Sequence, residues 1–165
     1  MNNQITIILL SHRSKNLVLN FIKDLHTKYK LIIIDNSNDI ELKKIIEKDY
    51  PEIVINVIEN NGYGSAINYA SKLVKTKYFL INNPDINGLN ENMINKFLDA
   101  AKTLNDNFSA LGPRFINANP KSLVQSNNIK NIEEMKFLSG SCMFFKKENF
   151  DFIGGFDEKF FLYFE

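Results

Sequence analysis

The sequence predicts an α/β fold, an open and mostly parallel sheet covered by helices on both faces, with a mixed-sheet extension towards its C-terminal end. Three observations carry this reading. Short uninterrupted apolar runs recur, each the length of a strand and each ended by a polar cluster. Between them lie segments whose apolar residues return with helical spacing. After about Asn105 the alternation stops. Strands buried in a parallel sheet are covered on both faces, so they read as continuous apolar runs and not as a polar–apolar alternation.

Taken in order, Ile5–Leu10 is a β-branched run closed by Ser11-His12-Arg13-Ser14. Leu17, Val18, Phe21, Ile22 and Leu25 then form an amphipathic stripe, with Ser14 the expected N-cap. Leu31–Ile34 is a second buried strand, ended by Asp35-Asn36-Ser37-Asn38, and Leu42, Ile45 and Ile46 mark the helix after it. Ile53–Ile58 is a third strand, followed by the loop Asn60-Asn61-Gly62-Tyr63-Gly64 and a helical stripe of Ala66, Ile67, Ala70, Leu73 and Val74. Tyr78–Ile81 is a fourth strand, ended by Asn82-Asn83-Pro84-Asp85. Asn90 caps a helix whose apolar face is Met93, Ile94, Phe97, Leu98 and Ala101. Four strand–helix units in succession are the signature of a parallel sheet. Beyond them short apolar pieces (Ala110-Leu111, Leu123-Val124, Met143–Phe145) alternate with polar loops and turn residues, which extends the sheet without starting a second domain. Residues 1–165 are therefore expected to form one domain.

Bulk properties narrow the function. A chain of 165 residues can bury a core large enough to fold without disulfides or metal. With 20 basic and 19 acidic residues the net charge is +1, which gives no electrostatic footprint for nucleic acid. Cys142 is the single cysteine, so no internal disulfide forms, and a buried inert thiol is expected. The N-terminus lacks the features of a signal peptide, and its apolar run is far below the ~20 residues of a membrane helix. A reducing, cytoplasmic setting is the expectation, with peripheral membrane association left open.

In open α/β sheets, ligands bind beyond the carboxyl ends of the strands, at the point where strand order reverses. Three polar clusters fall at such ends: Ser11-His12-Arg13, Asp35-Asn36-Ser37 and Asn83-Pro84-Asp85. A carboxylate there can accept hydrogen bonds from a base or ribose, or hold a divalent cation on a diphosphate; it can equally make Asx turns and helix caps. Gly62-Tyr63-Gly64-Ser65-Ala66-Ile67 begins like a dinucleotide fingerprint, but Ile67 stands where the third glycine belongs and the loop follows the third strand. It either turns an anion towards helix N–H groups or is a tight turn using glycine's freedom.

These segments, taken together, resemble family 2 glycosyltransferases of the GT-A fold, in the rhamnosyltransferase-like branch. Ile5–Arg13 and Leu31–Ser37 resemble the family's opening, and Asn60–Asn68 resembles its N-x-G-x-[AG]-x-A-x-N segment. Asn83-Pro84-Asp85 is similar to the N-P-D form of the D-x-D metal motif. Phe137–Phe145 and the Gly154-Gly155-Phe156-Asp157-Glu158…Glu165 run resemble later segments of that branch. Five pieces occur in the expected order along the whole chain. The resemblance implies transfer of a sugar, with inversion, from a nucleoside-diphosphate sugar to a saccharide or lipid-linked acceptor in cell-surface polysaccharide biosynthesis. It implies that Asp35 meets the base, Ser11 the nucleoside, Asn83 the ribose or metal, that Asn61 and Gly62 line the donor site, and that Gly140 leaves room for the sugar or acceptor. Asp85 would coordinate Mg²⁺ or Mn²⁺. The general base would come from Asp157, Glu158 or Glu165, or from the residue that follows Glu165 in the family pattern. His12 departs from that pattern, where an aromatic such as Tyr is usual.

The aromatic run Phe160-Phe161-Leu162-Tyr163-Phe164 suggests a chain incomplete at its C-terminus, with exposed aromatic surface and self-association there. A non-catalytic nucleotide-sugar-binding fragment is the alternative from another class. A receiver-like domain would need about five strand–helix units, and a sugar nucleotidyltransferase would need a glycine-rich basic loop after the first strand.

Overall fold

The computed structural model describes residues 2–115 and 132–162. Their elements follow in the order β1 (Asn2–Ser11), α1 (Lys15–Ile22), β2 (Tyr29–Asp35), α2 (Ile40–Asp49), β3 (Val54–Val57), α3 (Tyr63–Ser71), β4 (Tyr78–Asn82), α4 (Glu91–Thr103), β5 (Cys142–Lys146) and α5 (Lys147–Ile153). Five strands form one sheet in the order β3-β2-β1-β4-β5. β1 pairs in parallel with both β2 and β4, β2 pairs in parallel with β3, and β5 closes the edge antiparallel to β4. The expected α/β architecture, with its mixed extension, is the one observed.

The period-two alternation of β1 splits the core into two layers. Ile5, Ile7 and Leu9 pack with Val18 and Ile22 of α1, Leu42 and Ile46 of α2, and Ile94, Phe97, Leu98 and Ala101 of α4. Ile8 faces the other way, with Ile32, Ile34, Ala66, Ile67 and Ala70 of α3, and Phe150 of α5. Neither face of the central strand is left for water, which is why Ile5–Leu9 carries no charged residue. The antiparallel strand adds an aromatic seam. Phe144 stacks on Phe97 at 5.3 Å and on Tyr78 at 5.1 Å, while Phe145 stacks on Phe79 at 5.2 Å across the opposite face.

Several details differ from the sequence reading. Ser14 sits at the N-cap position of α1 but makes no capping hydrogen bond; its hydroxyl pairs with that of Ser11 at 3.1 Å. α3 ends at Ser71, so Leu73 and Val74 lie in the following turn, with Val74 still buried. Ala110-Leu111 contributes a single bridge, Leu111 to Phe144. The seven-residue α5 was not expected: two turns are too short to display a helical period, and its end is set by Gly154 in the left-handed region at φ 88°. Leu123-Val124 lie outside the described residues. No described helix is long and apolar enough to cross a membrane.

Candidate functional site

The strand order reverses at β1, whose chain continues to β2 on one side while β4 lies on the other. The crevice beyond the carboxyl ends of β1, β2 and β4 is therefore the place where this topology positions a ligand. Ser11, Asp35 and Asn82 are the last residues of those strands, and all three are wholly buried. By alternation they continue the face carrying Leu9, Ile33 and Leu80. The sheet thus ends on that face in a row of polar side chains.

Asp35 organises the turn that follows it. Its Oδ1 accepts the N–H of Ser37 at 2.9 Å and of Asp39 at 3.0 Å, and the Ser37 hydroxyl lies 3.0–3.1 Å from both carboxylate oxygens. Asp39 in turn accepts from Leu42 N–H at 2.8 Å and caps α2. The Ser37 hydroxyl also accepts the Arg13 N–H at 3.0 Å, which ties the loop after β1 to the loop after β2. Arg13 and Asn38 hold left-handed φ angles of 53° and 60° to make these turns. A cleft of about 560 Å³ opens beside them, between the N-terminal ends of α1 and α2, lined by Arg13, Lys15, Leu17, Ser37 and Asp39. Lys15 and Glu41 bridge those helix ends at 2.6 Å, and the hydrogen bond that Lys15 Nζ donates to Glu41 raises the Lys15 pKa.

A second set of bonds runs along the edge. His12 Nδ1 lies 2.9 Å from Asn36 Oδ1, Asn36 Nδ2 donates to Asn60 Oδ1 at 3.0 Å, and Gly62 N–H donates to the same oxygen at 3.3 Å. Asn61, beside them, is exposed.

At the end of β4, Asn83 C=O accepts the Ile86 N–H at 3.0 Å, closing a turn with Pro84 at its second position and Asp85 at its third. Asp85 is exposed and makes no hydrogen bond or ion pair within the described residues. Asn83 N–H donates to Ser141 C=O at 2.8 Å, which brings the Ser139-Gly140-Ser141 segment to the same edge. Tyr63 OH donates to Gly140 C=O from the start of α3. A Cβ on Gly140 would meet the Tyr63 ring at an ordinary 3.5 Å, so contact with the protein alone does not demand glycine there. Asn82 Oδ1 is buried without a hydrogen-bond partner among the described residues. Cys142, opposite Asn82 in the sheet, has its thiol pushed up to about 12 by burial and is a packing group, as expected.

The glycine loop serves the protein's own backbone. Gly62 holds φ 100°, and a Cβ there would lie 2.5 Å from Phe161 O. The Tyr63 N–H at the start of α3 donates to that carbonyl at 2.9 Å, so this amide is taken by the chain and not by an anion. Farther along α3, Asn68 grips the Gly155–Glu158 segment. Its Oδ1 accepts the Phe156 N–H at 2.9 Å, and its Nδ2 donates to Phe156 C=O and to Glu158 Oε1, both at 2.9 Å. Asp157 accepts the Lys159 N–H at 3.0 Å. Both acids are exposed, as are Phe160, Phe161 and Leu162. Glu165 lies outside the described residues. Sequence reasoning did not single out Asn68 for this role; its signal was a polar residue inside the apolar stripe of α3.

The family model described as glycosyl transferase family 2 matches residues 6–157. The fold is similar to that of a mannosyltransferase from Pyrobaculum calidifontis in complex with GDP-Man and Mn²⁺. The TM-score is 0.66 at 14% identity, over 96% of this chain and 48% of that one. It is also similar to S. aureus TarS 1–349 in complex with UDP, with a TM-score of 0.65 at 18% identity, over 96% of this chain and 51% of that one. The chain spans about half the length of these structures, and at such identities the likeness is one of fold. No curated protein sequence matches significantly.

Proposed function

The chain belongs to glycosyl transferase family 2, and from that membership we propose that it binds a nucleoside-diphosphate sugar at the carboxyl edge of β1, β2 and β4 and passes the sugar to an acceptor hydroxyl with inversion. Its fold is the GT-A fold. The observation that carries the proposal is the convergence of Ser11, the Asp35 turn, Asn83–Asp85 and Ser139–Ser141 on the switch-point crevice. The nucleoside lies against the Ser11 and Asp35 loops and the Asn61-Gly62 corner, with Asn83 towards the ribose and Gly140 towards the sugar. The acceptor is a saccharide or a lipid-linked saccharide.

Asp85 suits a divalent cation, Mg²⁺ or Mn²⁺. It is an exposed carboxylate with no partner among the described residues, and no group of three or more His, Cys, Asp or Glu among them forms a complete protein cage. One carboxylate plus substrate phosphates is the ligand set such hard cations favour. When bound, the cation neutralises charge on the departing diphosphate. The acceptor oxygen bonds to the anomeric carbon as the bond to the diphosphate breaks. The hydroxyl proton passes to a carboxylate of the Asp157, Glu158 and Glu165 group, a step worth typically ~10²–10⁴-fold. The Asn68 clamp supports this assignment because it fixes where Glu158 stands.

The test is calorimetry of UDP, TDP and GDP with and without Mn²⁺, on wild type and Asp85→Ala. One of these should bind the wild type more tightly with Mn²⁺, and Asp85→Ala should lose that gain while keeping metal-free affinity. A wild-type metal response in Asp85→Ala would remove Asp85 from the metal site.

A further inference from the structure

The hydrogen bonds that cross the carboxyl edge have a readable polarity, because one end is a backbone amide. Gly62 N–H can only donate, and its acceptor at 3.3 Å is therefore the oxygen of the Asn60 amide. Asn36 meets that same oxygen at 3.0 Å, so it does so through its NH₂ group. The other end of the Asn36 amide is then the oxygen, and it faces His12 Nδ1 at 2.9 Å. An amide oxygen only accepts, so Nδ1 carries a proton; in the neutral ring Nε2 is then a bare acceptor. Asn36 is not loose. It is 8% exposed, and its own N–H donates to Ser11 C=O at 3.0 Å.

The side-chain acceptors that end β1 and β2 are already used or covered. The Asp35 carboxylate is wholly buried and bound by Ser37 and Asp39. The Ser11 hydroxyl is wholly buried and paired with Ser14. His12 is exposed, and its Nε2 has no partner among the described residues. We propose that His12 is a specificity-determining residue of the nucleotide site, presenting Nε2 as an oriented acceptor to a hydrogen-bond donor of the nucleoside. The donor is a ribose hydroxyl or the imino N–H of the base. The proposal rests on the nucleotide-sugar reading for its ligand, but its tautomer does not.

The tautomer is read by two-bond ¹⁵N–¹H correlation of the imidazole at a pH well above the ordinary histidine range. Wild type should show Nδ1 protonated and Nε2 bare. Asn36→Ala, or Asn60→Ala if the first variant folds poorly, should move the ring towards the Nε2–H form that free histidine prefers. The ligand is read by calorimetry with UDP. His12→Phe keeps an aromatic ring but has no acceptor, and should weaken binding about 3- to 10-fold, the size of one neutral hydrogen bond. That loss should vanish for one of 2′-deoxy-UDP, 3′-deoxy-UDP or N3-methyl-UDP, which identifies the donor group. An Nε2–H ring in wild type, or equal losses with every analogue, overturns the proposal. If neither UDP, TDP nor GDP binds the wild type, the nucleotide-sugar reading and the ligand given to His12 fall together, while the spectrum still decides the relay.

Discussion

Asp35 shows how one carboxylate serves the fold before it serves a ligand. Its Oδ1 satisfies two backbone N–H groups that have no other partner in the turn, and the turn sets both the α2 cap and the link to Arg13. Removing it leaves those donors stranded, at about 1–3 kcal/mol. Asp35→Ala should therefore lower the melting temperature by roughly 2–12 °C for a domain of this size, and Asp35→Asn, which keeps an acceptor oxygen, should lower it less. Differential scanning calorimetry of both variants checks this; an unchanged melting temperature in Asp35→Ala would mean that the turn stands without its carboxylate. Any loss of nucleotide affinity in these variants has to be separated from this effect on stability. That Asp35 closes a strand was legible in the sequence, because Leu31–Ile34 is an unbroken apolar run. Which of its two roles it fills was not, since an Asx turn and a ligand contact call for the same residue at the same place. The His12–Asn36–Asn60 line was also hidden: its members lie 24 residues apart, far beyond the period of a helix or a strand.

At the scale of elements, α3 acts as the platform on which the later chain is laid. Gly62 and Tyr63 receive Phe161, Tyr63 holds Gly140, and Asn68 holds Phe156 and Glu158. The strands and helices before Asn105 were readable because each announces itself locally, by an apolar run or a helical stripe. The Asn68 clamp joins residues 88 and 90 positions apart, so nothing local could reveal it. Gly155 makes the clamp testable. It holds φ 81°, and a Cβ there would sit 2.4 Å from Asn68 Oδ1. Gly155→Ala should thus be destabilising for two reasons, backbone strain and a clash with a side chain. In an Asn68→Ala background the clash disappears while the strain remains. A double-mutant cycle in urea should give a coupling of about 0.5–3 kcal/mol. Additive effects would show that Asn68 and Gly155 do not act on one another.

For the whole molecule, the central claim is that topology places the chemistry. A sheet ordered β3-β2-β1-β4-β5 opens one crevice at its carboxyl edge, and three polar strand ends, a Pro-Asp turn and the Ser139–Ser141 segment meet there. Family membership is consistent with a donor nucleotide at that edge, but residue roles stand or fall on where the ligand and cation bind. Mn²⁺ reports this directly, because its unpaired electrons broaden nearby amide resonances. The measurement is a ¹⁵N spectrum of the wild-type chain with UDP, or with whichever nucleoside diphosphate binds, titrated with Mn²⁺. The account predicts broadening centred on Asp85 and its neighbours Asn83, Ser139 and Ser141, falling away towards the amino edge of the sheet, with the metal-free nucleotide shifting His12, Asn36 and Ser37. Broadening centred elsewhere, or nucleotide shifts confined to the opposite edge, would contradict it.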